Sequence, residues 1–379
     1  MTLALPPLAL YVHLPWCVRK CPYCDFNSHE REGALPEQEY LAALKQDIAD
    51  EQAAAGNRPI NSIFFGGGTP SLLSPGFYEA LLSYLAGALS FADDIEITLE
   101  ANPGTVEQQR FEGFHAAGIN RLSLGVQSFN ERHLRALGRI HSGTEAARAV
   151  QQAQAAGFEN INLDLMHALP DQTPEESEAD LRQAVALAPT HISWYELTIE
   201  PNTAFFRAPP QQPDGDTLAD AETTGFALLA DAGYQRYEVS AFAQAGRLAR
   251  HNLNYWQFGD YLGIGAGAHG KITNPAQGEI LRYRKTRLPA HYLAEGGQRR
   301  RDAHTIPADQ LPFEFLLNAL RLLDGVPQAL FPARTGLPLS HLQPALAQLR
   351  QRGLLHPDRL ACTPTGLRFL NNVLAAFQG

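Results

Sequence analysis

Three of the four cysteines of this chain stand close together, as Cys17-x-x-x-Cys21-x-x-Cys24. Thiolates are metal ligands, and three from one short loop allow two kinds of centre. A structural zinc site needs four nitrogen or sulfur donors in a closed tetrahedron, so His13 or His29 would have to complete the set. An iron–sulfur cubane with three irons held by the protein and one left open needs the three thiolates alone. Cys362 is far away in sequence, and the pattern is not a disulfide framework, which spreads an even set through a small secreted chain. Clustered thiols in a chain of 379 residues imply a reducing compartment and a metal.

The elements that must position this loop read as alternating strands and helices. Strands are expected at 8–14, 60–65, 95–100, 120–126, 160–166 and 191–199. Helices are expected at 36–55, 75–88, 105–117, after Phe129, after Ser142 and at 175–188. Such alternation indicates a parallel α/β sheet. The polar and glycine residues then fall at one end of it. The cysteine loop follows the first strand and Gly66-Gly67-Gly68-Thr69-Pro70 the second; Glu100 ends the third and Gln127 follows the fourth. Asp164 lies in the fifth, and Trp194, Tyr195 and Glu196 in the sixth. A closed or partly closed barrel gathers these strand ends around one mouth, whereas an open doubly wound sheet spreads them along an edge. The expected fold is therefore a partial (β/α)6 TIM-like barrel.

Residues 208–215 (APPQQPDG) break the chain. Beyond them come a helix near 216–232, short strands, the segment GIGAGAHG and, from about 307, a mostly helical tail. The helices at 339–352 and 364–377 suit a small winged-helix-like unit. The expected division is a barrel over 1–207, an extension over 208–290 and an α-rich C-terminal domain over 291–379. Gly265-x-Gly267-x-x-Gly270 matches the dinucleotide fingerprint, but the residues after it run into Asn-Pro rather than a helix, so close backbone approach to a ligand is the better reading.

The net charge of −10 argues against a nucleic-acid partner, which would require a surplus of Lys and Arg. The N-terminal MTLALPPLAL lacks a basic region and is interrupted by Pro6 and Pro7, so it does not read as a secretory signal. A cytoplasmic protein is expected. The basic stretches Arg282–Arg287 and Arg299–Arg301 offer charge to haem propionates or to a membrane surface, and a solvated face is the plainer reading of either.

YVHLPWCVRKCPYCDFNS resembles the cluster loop of the radical S-adenosylmethionine (SAM) superfamily, and GGGTP its glycine motif after the second strand. With ITLEANPG, RLSLGVQSFN, LGRIH and INLDLMHALPDQT, the chain is similar to the oxygen-independent coproporphyrinogen III dehydrogenase-like family. The resemblance implies a [4Fe–4S] cluster on Cys17, Cys21 and Cys24, with SAM chelating the open iron and an external reductant. It also implies that Gly67, Gly68 and Thr69 let the backbone approach the methionine amino group. Glu100, Gln127, Arg139 and Asp164 would contact SAM, and Tyr11 and Tyr23 line its site. Arg139 suits the carboxylate by charge, and Asp164 or Glu100 suits a ribose diol.

Two functions fit the family. One is the radical enzyme that decarboxylates coproporphyrinogen III. The other is a chaperone branch that binds haem and hands it to a client protein. The dehydrogenase motif continues as CxxxCxxCxC and follows a longer N-terminal arm; here Phe26 takes the place of the fourth cysteine and Tyr11 is near the start. His251-Asn252-Leu253-Asn254-Tyr255-Trp256 resembles the HNxxYW element of the chaperone branch, which implies a haem site at His251, Asn252, Tyr255 and Trp256. The expectation is a haem chaperone without the dehydrogenase activity.

Overall fold

The protein is described from a computed structural model, over residues 3–31, 33–104, 108–294 and 299–378. Six strands come first: β1 (Leu8–Leu14), β2 (Ile60–Gly67), β3 (Phe91–Ala101), β4 (Arg121–Gln127), β5 (Ile161–His167) and β6 (His191–Glu196). Each pairs in parallel with the next, in chain order. Right-handed crossovers between successive neighbours place all the connecting helices on one face, and the sheet curls around the other. This is the expected partial barrel rather than a doubly wound sheet, whose strand order would reverse.

The rest of the sheet consists of β7 (Gln235–Glu238), β8 (Ala241–Ala243), β9 (Asp260–Ile264), β10 (His269–Asn274), β11 (Glu279–Lys285) and β12 (Arg300–Thr305). The order is β12-β11-β10-β9-β1-β2-β3-β4-β5-β6-β8-β7. β9 is a seventh parallel strand, on the free edge of β1, with Leu10 opposite Leu262 and Val12 opposite Ile264. The remaining additions are antiparallel.

Apolar residues alternate with the pleat and with the helical repeat, so strands and helices bury matching faces. Helix α1 (Glu37–Ala55) buries Tyr40, Leu44 and Ile48 against the sheet, and α2 (Pro75–Ala88) buries Phe77, Leu81 and Leu85. The helix expected at 105–117 is described at Phe111–Ala116, and its first residues lie outside the described chain. Below the sheet's edge, Lys285 makes ion pairs with Asp47 (2.5 Å) and Glu51 (2.6 Å) of α1, with Arg300 on the same Glu51. These buried pairs fasten the second half of the sheet to the first.

A second core holds the C-terminal unit: Ile306, Leu311, Phe315, Phe331, Leu346, Leu360 and Val373, joined by Leu3 and Phe258. The expected boundary at residue 291 falls inside the sheet assembly, because Tyr292 belongs to the first core and Arg300–Thr305 pairs with β11. The expected helix at 339–352 divides into Leu339–Leu342 and Ala345–Gln351, and that at 364–377 into Pro364–Arg368 and Leu370–Ala375. Val326–Pro327 pairs antiparallel with Arg359–Leu360 beside them. Among the described residues no helix is long and apolar enough to cross a membrane.

Candidate functional site

The cysteine loop leaves β1 at Pro15 and folds back on itself. Trp16–Cys17 pairs with His29–Glu30, and Cys24 N–H donates to the Cys21 carbonyl at 3.1 Å. Cys17, Cys21 and Cys24 line a cavity of about 290 Å³. Gly67, Gly68, Thr69, Glu100, Gln127, Arg139, Asp164 and Tyr23 line the same cavity, with Tyr195. The C-terminal ends of β2 to β6 thus deliver the predicted residues to one place. Tyr11 is the exception: it faces a neighbouring cavity. Trp194 and Glu196 also point elsewhere; Trp194 is buried under Gly225, where a Cβ would strike its ring.

Each sulfur has a local partner. Thr69 Oγ1 donates to Cys17 Sγ and Arg139 to Cys21 Sγ, both at 3.6 Å, and Ser28 Oγ is 3.8 Å from Cys24 Sγ. Burial pushes the Cys17 and Cys24 thiols up. Among the described residues no three His, Cys, Asp or Glu side chains gather closely enough to hold a single metal ion. His13 has no nitrogen to offer, since Nδ1 meets Tyr11 Oη at 3.0 Å and Nε2 the Asn27 carbonyl at 2.9 Å. The loop therefore fits a cubane, where each thiolate takes a different iron, better than a tetrahedral zinc.

The glycine run explains its own composition. Gly67 has φ +119°, and a Cβ there would stand 2.6 Å from the His13 ring; at Gly68 it would stand 2.5 Å from the Trp16 carbonyl oxygen. Thr69 N–H donates to that same Trp16 oxygen at 2.7 Å. The glycines thus lock the motif against the cysteine loop, whatever they also admit from outside. Gly67 N–H donates to Glu100 Oε2 at 3.2 Å. Burial, with Asp164 nearby, raises the Glu100 carboxyl to about 8, so it is largely protonated at neutral pH. Burial also raises Asp164, offset by donors from Ser123 and Asn162, each at 2.9 Å. Gln127 has φ +66°, unusual outside glycine, at a register shift between β4 and β5; Tyr195 Oη donates to its Oε1 at 2.8 Å.

Asn102, absent from the sequence reading, joins these parts. Its Nδ2 donates to Thr69 Oγ1 at 3.1 Å, and its Oδ1 accepts from Arg139 at 2.6 Å. It stands two residues beyond Glu100 in ITLEANPG, and that position was the available signal.

Residues 11–184 match the radical SAM superfamily, and residues 306–369 the HemN C-terminal domain. The heme chaperone HemW of Haemophilus influenzae is 51% identical over 98% of both chains, and that of Escherichia coli 50% identical over 98% of both. The chain belongs to the HemW family of the radical SAM superfamily. The bovine mitochondrial radical S-adenosyl methionine domain-containing protein 1 is 36% identical over 97% of this chain and 86% of its own. Among solved structures, coproporphyrinogen III oxidase (HemN) from Escherichia coli superposes with a TM-score of 0.82 over 98% of this chain and 90% of its own, at 24% identity. That last likeness is one of fold.

The HNxxYW element is a short helix, Arg250–Trp256, packed against β1 and β2. Glu96 accepts the His251 N–H at its start. His251 is buried, with Nδ1 at 2.9 Å from Ser62 Oγ, Nε2 at 3.0 Å from Tyr255 Oη and its ring stacked on Phe64. Burial lowers its pKa to about 3. Both ring nitrogens are engaged inside the protein in this structure. Trp256 lies under the Arg321 guanidinium in the second core, and Tyr255 lines the cavity that Tyr11 faces. The glycine-rich segment packs closely on protein. Gly263 backs onto the His269 carbonyl, and a Cβ at Gly267 would strike the Asn27 side chain. Residues 269–274 form β10, not the helix a dinucleotide fingerprint needs.

Proposed function

We propose that this chain is a haem carrier built on a radical SAM centre, which takes up haem and passes it to an acceptor protein. The observation that carries the reading is identity of 50–51% over 98% of both chains with relatives named heme chaperone HemW. Phe26, in place of the cysteine expected of the dehydrogenase, supports it; the ring is 59% exposed and borders the cysteine cavity.

In this reading Cys17, Cys21 and Cys24 hold a [4Fe–4S] cluster, and Gly67, Gly68, Thr69, Glu100, Gln127, Arg139, Asp164 and Tyr23 receive SAM. With SAM on its open iron, such a cluster supplies one-electron chemistry when bound and reduced. Arg139 is aimed by Asn102 and the Gly125 carbonyl (2.7 Å), and presents a cation suited to the carboxylate of the ligand. Asp164, held by Ser123 and Asn162, offers an acceptor to a ribose diol. Tyr195 fixes the Gln127 amide. The expected setting is cytoplasmic, with any membrane contact peripheral. We divide the chain into a barrel over 1–207, an extension continuing through β12, and the helical unit from Ile306.

Two outcomes are expected. Anaerobically reconstituted protein should hold about four iron and four sulfide per chain. Replacing Cys17, Cys21 or Cys24 with Ser should abolish the cluster, while Cys362→Ser, in the second core, should keep it. Stoichiometric zinc without sulfide would reverse this assignment. Incubated with reductant, SAM and coproporphyrinogen III, the wild-type protein should release no protoporphyrinogen. Sustained decarboxylation would replace the carrier reading with the dehydrogenase.

A further inference from the structure

Beside the cysteine cavity lies a second one, of about 600 Å³, sharing Phe26, Gly67 and Glu100 with the first. We propose that this second cavity seats haem, with His269 as the axial ligand and Arg284 and Arg287 as the propionate anchors. The proposal rests on the carrier reading and gives it a site to which the HNxxYW helix contributes Tyr255.

Haem presents three chemistries: a flat apolar face, two carboxylates along one edge, and an iron that takes a nitrogen or sulfur donor. The cavity offers a counterpart to each. Tyr11, Tyr255 and Tyr261 supply ring surface, with Tyr255 and Tyr261 edge to face at 4.7 Å, and Phe26 stands exposed at the border of the two cavities. Two histidines line it. His13 has both ring nitrogens engaged. His269 is exposed, and among the described residues its imidazole has no hydrogen-bond partner. It is thus the lining imidazole with nitrogen free to bind iron.

Strand pairing places the cations beside it. His269 on β10 is directly opposite Arg284 on β11, and Arg284 is opposite Arg301 on β12. Residues paired this way project from the same face, with Cβ atoms about 5 Å apart. Arg284 pairs with Asp302 at an exposed position, where water and a propionate can compete. Arg287 makes no ion pair among the described residues; its carbonyl is held by Asn27 Nδ2 at 2.9 Å, which ties the arginine's backbone to the cysteine loop. Asp25 is the exposed acid of the lining. A guanidinium binds a carboxylate through paired, charge-assisted hydrogen bonds, so two of them suit the two propionates.

The test is titration of the full-length, cluster-loaded protein with haemin and, separately, with iron-free protoporphyrin IX. His269→Ala should weaken haemin binding by about tenfold or more and move the Soret band, through loss of the axial donor. It should leave protoporphyrin affinity within about twofold, because that ligand has no iron to bind. Added imidazole should restore the band, and His269→Gln should behave as the alanine variant does. Arg284→Ala with Arg287→Ala should weaken both ligands alike, by about tenfold. Iron and sulfide content and far-ultraviolet circular dichroism should match wild type throughout. A wild-type Soret band and affinity in both His269 variants would overturn the seat and leave the carrier reading standing. Failure of the wild-type protein to bind haemin would overturn both.

Discussion

Between pH 7.5 and pH 5 the protein should lose several kcal/mol of stability, with a fall in melting temperature on the order of 10 °C. His13, His141, His167, His191 and His251 are all buried in the fold. Burial lowers His13, His141 and His167 to about 4 and His251 to about 3, and holds His191 well below its ordinary value. In the unfolded chain each takes up a proton near pH 6.5, so below that pH the unfolded state binds more protons than the folded state. Their stabilisation is complete above pH 6.5 and is lost as the pH falls toward the folded values, at about 2 kcal/mol each by pH 5. Buried acids act in the opposite direction, since burial raises Asp47 and Asp164 as well as Glu100 and Asp180. Glu100, raised to about 8, and Asp180, raised to about 6, regain about 3 and about 1 kcal/mol over the same interval. The histidines outnumber them. Thermal melts followed by circular dichroism across this range would decide the matter, and an unchanged melting temperature would show that these imidazoles are not held neutral.

His251→Ala should destabilise the fold by about 3 kcal/mol while leaving the Soret band of the haem complex where it is in wild type. The substitution empties a packed site against Phe64 and leaves two hydroxyls, of Ser62 and Tyr255, without their partner. A buried polar group stripped of its partner costs about 1–3 kcal/mol. Adding Ser62→Ala should recover part of the loss, because it removes one of the orphaned groups. Urea unfolding measures the first expectation and haem titration of the folded variant the second. A folded His251→Ala protein with a shifted Soret band would return His251 to the iron.

The contrast between His251 and His269 shows where sequence reading reaches its limit. HNxxYW carries residue types that suit haem, but residue type does not reveal that Ser62 and Tyr255 occupy both nitrogens of His251. His269 attracted no attention because it sits at the end of a glycine-rich segment, and its neighbour Arg284 is close only through strand pairing. The barrel itself was legible, because alternation of apolar runs, amphipathic helices and turn residues is local: β1 and α2 fall where periodicity puts them. β9 was not, since Gly263 and Gly265 disguise a strand whose purpose is to pair along β1. Polar residues at successive strand ends were readable as one site, and Cys17, Gly68, Gln127 and Asp164 do line one cavity. Asn102 was missed because its importance lies in touching both Thr69 and Arg139, a fact of three dimensions.

The chain is read as carrying haem on a radical SAM scaffold. The most direct measurement is titration of the anaerobically prepared wild-type protein with haemin, read at the Soret band beside an unrelated protein of similar size. Saturation at about one haem per chain is expected, with the absorption of ligated iron and the cluster content unchanged. Binding no tighter than to the unrelated protein would contradict it.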